Sequence, residues 1–269
     1  ELDLQNAIAS LPDSQSQLGR VNKYTAYALL GKVLLYQDKF AEAASALDNV
    51  IGVYSLVSDY GSQFLRFGEN GPESVFEIQY SNQSNWYDWG CAHCSEGNYA
   101  IIMNGPRGWS GPEYAQGWSF NVPTAEFYNS FEEGDTRRDA TVLDIEAFAA
   151  ATGANYTEGY DHTGYYNNKY IPRAGESGGQ TELNYLTNFR IIRYSDVLLM
   201  AAEAYNRGGL DDGLAQEFLN QVRRRAFGDD DHDISASGTA LTDAIWEERK
   251  FELSLEGHRF FDLVRTGRA

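Results

Sequence analysis

The amino-acid sequence predicts a mostly α-helical protein with one long irregular insertion and little β structure. Apolar side chains recur at helical spacing near both ends of the 269-residue chain. Between residues 81 and 120 that period is lost, and Gly, Asn, Ser and Pro become frequent. Residues 73–80 combine strand-forming side chains with partial alternation, which predicts one short strand. The two ends of the chain should therefore build the scaffold, and the middle should contribute loops.

The N-terminal part is predicted to form a helical hairpin at residues 21–56. A preceding helix at residues 2–10 is stopped by Pro12, because proline cannot continue a helix. Two helices follow, and their spacing is typical of a tetratricopeptide repeat. The positions that carry this spacing are Tyr27, Leu30, Gly31, Leu34, Ala43 and Leu47. The small residues in this set should let the helices approach closely. Since one hairpin cannot bury its own apolar face, we expect it to pack on another.

The C-terminal part is predicted to form three helices in succession. The first, at residues 194–207, has one apolar face and is ended by a Gly-Gly pair. The second starts at Asp211 or Asp212, a residue type that accepts hydrogen bonds from first-turn amides. The third covers residues 239–256. The first two should form an antiparallel pair on which the N-terminal hairpin can pack.

Two glutamates lie inside the apolar stripe of the third helix. At about 100° per residue, Glu248 and Glu252 fall on the face of Ile245 and Phe251. An isolated buried charge costs several kcal/mol, so these carboxylates must be paired or catalytic. We interpret them as members of structural ion pairs. The candidate partners are Arg223, Arg224, Arg225, Arg249, Arg259 and Arg265. The alternative is the acid/base pair of a glycoside-active enzyme, which requires an open cleft.

Three segments carry a specific resemblance. They are residues 193–200 (RYSDVLLM), 219–223 (LNQVR) and 248–265, which runs from ERKFEL to EGHRFFDLVR. They resemble the SusD/RagB family of surface-exposed outer-membrane lipoproteins, which bind glycans or other nutrients on a TonB-dependent transporter. The resemblance covers most of the chain and is weakest between residues 81 and 116.

The resemblance implies a single SusD-like domain fragment. Its parts would be the tetratricopeptide-like hairpin, a loop-rich ligand-binding region at residues 73–190 and a helical scaffold at residues 191–267. A SusC-like TonB-dependent transporter would be the protein partner, on the extracellular face of the outer membrane. The chain opens on Glu1 without Met, signal peptide or lipidation cysteine. The resemblance therefore implies that the lipid anchor, an upstream helical segment and a continuation after Arg268 lie outside this chain.

Composition favours a neutral ligand. A net charge of −18 makes nucleic acid an unsuitable partner, since phosphate binding needs clustered Lys and Arg. It also weighs against polyanionic ligands. Aromatic residues make up 14% of the chain, with 18 Tyr and 5 Trp. Aromatic rings stack on sugars and on bases alike, but the charge favours neutral carbohydrate. The sequence contains no apolar run of the roughly 20 residues that a transmembrane helix needs.

The candidate ligand site lies in the irregular insertion. It comprises Asn85, Trp86, Tyr87, Asp88, Trp89, Arg107 and Trp109. Sugar recognition needs this combination of flat rings and of side chains that bond paired hydroxyls. The alternative is that the rings anchor loops to the core. We assign Trp118, in the stretch before a helix predicted at residues 125–131, to the framework. Tyr156, Tyr160, Tyr165 and Tyr166 form a second, weaker cluster.

The two cysteines, Cys91 and Cys94, are separated by two residues. This spacing fits a redox site, half of a zinc site or a small disulfide loop, and in an exported protein the disulfide is favoured. Asp229, Asp231 and Asp233 match the start of a calcium loop, but its glycine and its bidentate glutamate are missing. We therefore expect neither a metal site nor a cofactor.

The function that these features favour is non-catalytic binding of neutral oligo- or polysaccharide at the cell surface, for delivery to a transporter. A helical-repeat scaffold that binds proteins is the alternative. An enzyme that uses Glu248 and Glu252 is a weaker one.

Overall fold

The structure, a computed structural model, describes residues 1–83, 89–178 and 183–269, without the side chains of residues 92 and 93. Among these residues the α-helices are α1 (Leu2–Ser10), α2 (Lys23–Leu35), α3 (Phe40–Asp48), α4 (Ala100–Met103), α5 (Ala125–Asn129), α6 (Arg137–Thr141), α7 (Ile145–Thr152), α8 (Tyr194–Arg207), α9 (Asp212–Phe227), α10 (Gly238–Glu252) and α11 (Arg259–Arg265). The strands are β1 (Ser74–Ile78), β2 (Arg107–Ser110), β3 (Val142–Asp144), β4 (Asn155–Thr157), β5 (Tyr165–Asn167) and β6 (Phe189–Arg193). Short 3-10 helices cover Tyr60–Phe64, Arg66–Gly68 and Trp89–Cys94. The prediction of a mostly helical protein with little β structure is confirmed.

The described residues form two compact units. The helical unit comprises residues 1–60, 70–77 and 190–269, and so combines both ends of the chain. It holds α1–α3, α8–α11 and most of the β1–β6 pair. The insertion unit comprises residues 61–69 and 78–189 and holds α4–α7 with β2–β5. Most of the segment predicted to bind ligand thus folds as a unit of its own.

The predicted N-terminal hairpin is α2 and α3. A Cβ atom at Gly31 would lie 2.5 Å from the side chain of Leu47, so only glycine allows this approach of the two helices. Ala43 is fully buried at the same interface. The expected close contact through small residues is therefore confirmed. Asn22 caps α2, because its side chain accepts a hydrogen bond from the backbone N–H of Thr25.

The second predicted pair is α8 and α9, and it packs on the first as expected. α3 contacts α8, and one continuous apolar core includes side chains of α2, α3, α8, α9 and α10. Asp211 caps α9 by accepting from the N–H of Leu214 at 3.0 Å. α10 ends earlier than predicted, since Leu255 and Gly257 adopt positive φ angles of 63° and 87° that a helix excludes.

Buried ion pairs join these helices. Glu252 is fully buried, and its Oε1 accepts from Nη1 of Arg193 at 2.8 Å and from Nη2 of Arg225 at 2.6 Å. Arg193 also donates to Glu73 at 2.6 Å and to Glu256 at 2.8 Å. Burial alone would lower the pKa of Arg193, but the three carboxylates outweigh it and raise the pKa well above its usual value. The arginine is therefore charged and paired.

Glu248 has its own partner. Its side chain is 1% exposed, and Oε2 lies 2.8 Å from Nη1 of Arg223 on α9. The interpretation of Glu248 and Glu252 as structural ion-paired residues is confirmed. Glu248 and Glu252 are at most 1% exposed, whereas an acid/base pair needs an open cleft.

A further network ties α8 to the C-terminal helices. Arg249 donates to Oδ1 of Asp196 at 2.8 Å and to Oδ2 of Asp262 at 3.0 Å. Burial would raise the pKa of Asp196, but the charges of Lys32 and Arg249 hold it well below its usual range. These carboxylates stabilise the folded state only while they are ionised.

The insertion unit rests on small sheets and a compact apolar cluster. β3 pairs antiparallel with β5, with Leu143 opposite Tyr166, and β2 pairs antiparallel with β4. The cluster consists of Tyr114, Leu143, Ile145, Tyr166 and Ile171, with Trp109, Val122, Phe148 and Tyr156 packed against it. Residues 81–120, which the sequence predicts to be irregular, contain the short helix α4 and the short strand β2. The helix predicted at residues 125–131 is shorter, ending at Asn129.

Candidate functional site

The site is built on the C-terminal end of the short helix α4. The last four carbonyls of a helix have no partner within it. Here the side-chain amide of Asn104 donates to the carbonyl of Ala100 at 3.3 Å, and its backbone N–H donates to Ile101 at 3.1 Å. Asn104 thus satisfies two of the four carbonyls by itself.

A distant segment satisfies the other two. The backbone N–H of Trp118 donates to the carbonyl of Ile102 at 2.8 Å, and that of Phe120 donates to Met103 at 2.9 Å. Ile101 and Ile102 are buried beneath this contact. The backbone of the segment faces α4 because these groups must be bonded, and the Phe120 ring is 53% exposed.

The segment needs unusual backbone geometry. A Cβ atom at Gly117 would lie 1.8 Å from the carbonyl oxygen of Asn104, so only glycine fits there. Ser119 and Asn121, on either side of Phe120, have φ angles of 58° and 52°. Such left-handed conformations are rare for non-glycine residues and cost free energy, so they persist only where neighbouring contacts impose them.

The Ser119 hydroxyl provides such contacts. Its Oγ accepts from the backbone N–H of Arg107 at 3.2 Å and lies 3.2 Å from the Tyr166 hydroxyl. Ser119 is buried, and its backbone N–H donates to Gly105 at 2.9 Å. Burial raises the pKa of Tyr166, so this phenol stays protonated and can donate at neutral pH. Ser119, which lies between Trp118 and Phe120 in the chain, is thus held in place by contacts with Arg107, Gly105 and Tyr166.

Four side chains then form what we call the aromatic patch: Trp89, Trp118, Phe120 and Arg107. The ring centroids of Trp89 and Trp118 lie 5.7 Å apart at an interplanar angle of 31°, and those of Trp118 and Phe120 lie 6.4 Å apart, edge to face. The Trp89 side chain is 49% exposed, and Trp118 is half-buried. The patch is therefore a partly solvated row of rings with two tilted indoles.

Arg107 is held at one end of this row. Its Nε donates to the backbone carbonyl of Trp118 at 2.9 Å, and its guanidinium carbon lies 5.8 Å from the Phe120 ring centroid. The backbone of Arg107 is set by the pairing of β2 with β4, opposite Thr157. In the part of the chain that the structure describes, its two Nη groups make no hydrogen bond or ion pair. They form a fixed, exposed pair of donors.

The structure brings together two of the residues predicted for the ligand site, Trp89 and Arg107. Asn85, Trp86, Tyr87 and Asp88 lie outside the described residues. The sequence pattern does not predict Trp118 or Phe120 as site residues, because it assigns Trp118 to the framework. The signal in the sequence is the alternation of aromatic residues with Ser119 and Asn121, since asparagine is one of the few non-glycine types that adopt positive φ readily.

Trp109 has different neighbours. Its ring packs edge to face on Tyr114 at 5.9 Å and lies 6.0 Å from Phe148, within the apolar cluster of the insertion unit. Its indole N–H is buried and has no hydrogen-bond partner among the described residues. A role in ligand binding stays a prediction for Trp109, and its ring contacts are those of a packing residue.

The cysteine prediction is confirmed. Cys91 and Cys94 form a disulfide, within the 3-10 helix that begins at Trp89. Among the described residues, no group of His, Cys, Asp and Glu side chains is arranged to hold a metal ion.

Stacked helical hairpins together with a separate, loop-rich insertion unit define a class of helical-repeat scaffold proteins. The chain belongs to the SusD family, whose sequence model matches residues 72–269. The resemblance seen in the three C-terminal segments is thereby confirmed.

Individual relatives agree with this assignment. SusD-like protein P2 of Formosa agariphila is 31% identical, and the match covers 98% of this chain and 54% of that protein. A solved laminarin-binding SusD-like protein is 40% identical with a TM-score of 0.88, covering 99% of this chain and 60% of the other. Surface glycan-binding protein A of Bacteroides thetaiotaomicron, solved in complex with laminarihexaose, is 33% identical with a TM-score of 0.89 over 100% of this chain and 60% of its own. The chain thus spans a little over half the length of the relatives it matches.

Proposed function

We propose that this chain is the glycan-binding part of a non-enzymatic surface protein, and that it captures a neutral β-glucan on the aromatic patch. The observation that carries the proposal is the row of rings Trp89, Trp118 and Phe120, partly exposed and bordered by the free donors of Arg107. The apolar C–H face of a pyranose stacks on an indole, while the guanidinium fork bonds adjacent hydroxyls.

The tilt of the indoles favours a curved glycan. Two coplanar rings would suit a flat ribbon such as a β-1,4-linked glucan, in which successive sugars lie in one plane. Trp89 and Trp118 are inclined at 31°, so successive sugars that stack on them must also be inclined. A β-1,3-linked glucan bends in this way. The related structures named for laminarin and laminarihexaose, which are glucans of this linkage, support the same choice.

We further propose that the protein acts on the extracellular face of the outer membrane, beside a SusC-like TonB-dependent transporter. Family membership supports this location and this partner. In the described parts of the chain, no helix has the length and apolar character needed to cross a bilayer. Family membership also supports attachment through a lipid anchor.

Calorimetric titration with laminarihexaose tests the proposal. We expect binding by the wild-type protein and a loss of about tenfold or more for Trp118→Ala, because one ring stacked on a ligand contributes roughly 1–3 kcal/mol. Phe120→Ala should also weaken binding. Phe67→Ala is the matched control, since Phe67 is 78% exposed in the insertion unit but lies outside the patch. Equal affinity of Trp118→Ala and the wild type would refute the site.

Two further ligands sharpen the test. Cellohexaose, a β-1,4-linked glucan, should bind more weakly than laminarihexaose if the inclination of the indoles selects the linkage. A reducing-sugar assay with laminarin should detect no turnover. Turnover by the wild type that Glu248→Gln abolishes in a folded protein would instead support the enzyme hypothesis.

A further inference from the structure

The Trp89 ring stands on a segment with little intrinsic stability. The 3-10 helix Trp89–Cys94 has six residues, and the backbone at Cys91 leaves the helical region with φ −143° and ψ 67°. Short 3-10 stretches have poor hydrogen-bond geometry and do not persist without support from their surroundings. The position of Trp89 opposite Trp118 therefore depends on the contacts that hold this segment in place.

The chain directly after this segment is firmly anchored. The Oγ of Ser95 lies 2.7 Å from Oδ1 of Asn184, and the backbone N–H of Asn98 donates to the carbonyl of Tyr185 at 2.8 Å. Gly97 packs directly against the backbone of Asn184, since a Cβ atom at Gly97 would lie 2.2 Å from the Cα atom of Asn184. Residues 95–98 thus provide a rigid base within the insertion unit.

The disulfide joins the segment that begins at Trp89 to this base. Cys94 precedes the anchored Ser95, and Cys91 follows Trp89 by two residues. The bond closes a loop of four residues and removes most of the conformations open to the chain between the two cysteines. We propose that the Cys91–Cys94 disulfide is a positioning element that holds Trp89 against Trp118 and thereby sets the affinity of the aromatic patch for glycan. This inference rests on the proposed function.

A purely structural disulfide would act differently. It would change the unfolding transition and leave the affinity of the folded protein unaltered. A positioning disulfide changes affinity in protein that is still folded, and it does so through one ring. These two roles are separated by measuring binding and folding on the same samples.

The first experiment titrates laminarihexaose into oxidised and reduced wild-type protein. A trialkylphosphine reduces the bond: the phosphine gains one oxygen from water and becomes its oxide, and two electrons and two protons convert the disulfide into two thiols. We expect binding to weaken about fivefold to tenfold, towards the affinity of Trp89→Ala, because one stacked ring loses its fixed position. Far-UV circular dichroism should stay unchanged. Unaltered affinity, or loss of the native spectrum on reduction, overturns the inference.

The second experiment is a double-mutant cycle. Cys91→Ser/Cys94→Ser and Trp89→Ala are measured singly and together, and the combined loss should be smaller than the product of the separate losses, since both act on the same ring. As the control, the cysteine substitutions are combined with Phe120→Ala. The combined loss of affinity should then be closer to the product of the separate losses. Purely multiplicative losses with Trp89→Ala contradict the inference.

Two controls complete the design. The phosphine should not affect the cysteine-free variant, because the chain contains no other cysteine. Failure of the oxidised wild type to bind any glucan would overturn the proposed function itself. Binding that is insensitive to reduction would overturn only the role of the disulfide.

Discussion

Arg193, at the end of β6, donates from Nη1 to Oε1 of Glu252, at the end of α10, across 2.8 Å. Neither side chain is more than 2% exposed. The same guanidinium also bonds Glu73 and Glu256, so one arginine joins three separate parts of the helical unit. This contact explains why a carboxylate occupies the apolar stripe of α10: its charge is neutralised and its oxygens are bonded where water is excluded.

Glu252→Gln should lower the free energy of unfolding by about 3 kcal/mol, because it removes the carboxylate that the buried Arg193 and Arg225 share. Urea denaturation measures the loss. Glu247→Gln, on the same helix but half-exposed, should stay within about 0.5 kcal/mol of the wild type. If Glu252→Gln lowers the free energy of unfolding by less than about 1 kcal/mol, the remaining carboxylates are sufficient to neutralise Arg193 and Arg225.

The protein should lose stability steeply in acid. In Asp196, Glu203 and Asp262 burial would raise the pKa, but neighbouring Arg and Lys charges lower it below the ordinary value. Groups with a depressed folded-state pKa stabilise the protein above the unfolded-state pKa, and this contribution disappears as the pH falls from about 4 through the folded-state value. Unfolding free energies at pH 7, 5, 4 and 3 should therefore fall mainly below pH 4.

Asp196→Asn tests whether carboxyl groups with a lowered pKa cause the loss of stability in acid. This variant should be less stable than the wild type at neutral pH, and its stability should depend less on pH below 4, because one of the depressed carboxyls is absent. Asp243→Asn, at an exposed position of α10, should keep the wild-type slope. Identical slopes for Asp196→Asn and the wild type would contradict the assignment.

Gly117→Ala should damage the aromatic patch directly. The new methyl group would lie 1.8 Å from the carbonyl oxygen of Asn104, so the segment must move off the end of α4 and carry Trp118 with it. We expect a stability loss of about 1–3 kcal/mol and at least tenfold weaker binding of laminarihexaose. Gly213→Ala, near the start of α9, is the matched control and should leave affinity unchanged and stability equal or slightly higher.

Trp109→Ala separates packing from ligand contact. Because the ring packs on Tyr114 and Phe148, we expect a stability loss of about 3 kcal/mol. The affinity of the folded fraction for laminarihexaose should change less than twofold. A tenfold loss of affinity in folded protein would place Trp109 in the ligand site, as the sequence pattern suggests.

Much of the helical unit could be predicted from local pattern. The Asp211 cap, the close approach at Gly31 and the pairing of Glu248 each follow from a residue type at a defined helical position. Helical period reports which face is buried, and a charge on that face demands a partner. The helix ends were less predictable: α10 stops early because Leu255 and Gly257 adopt positive φ, which the apolar period does not register.

The sequence by itself determined the family, the helical scaffold and the aromatic character of the insertion, and it favoured the disulfide. Only the tertiary structure decided which rings share a surface. Trp89 and Trp118 are far apart in the chain, and they meet because the Trp118 backbone satisfies a carbonyl at the end of α4 while the side chain of Ser119 is buried. Irregular segments have no period from which side-chain direction can be inferred, so the long-range hydrogen bonds of the backbone set the direction of each ring.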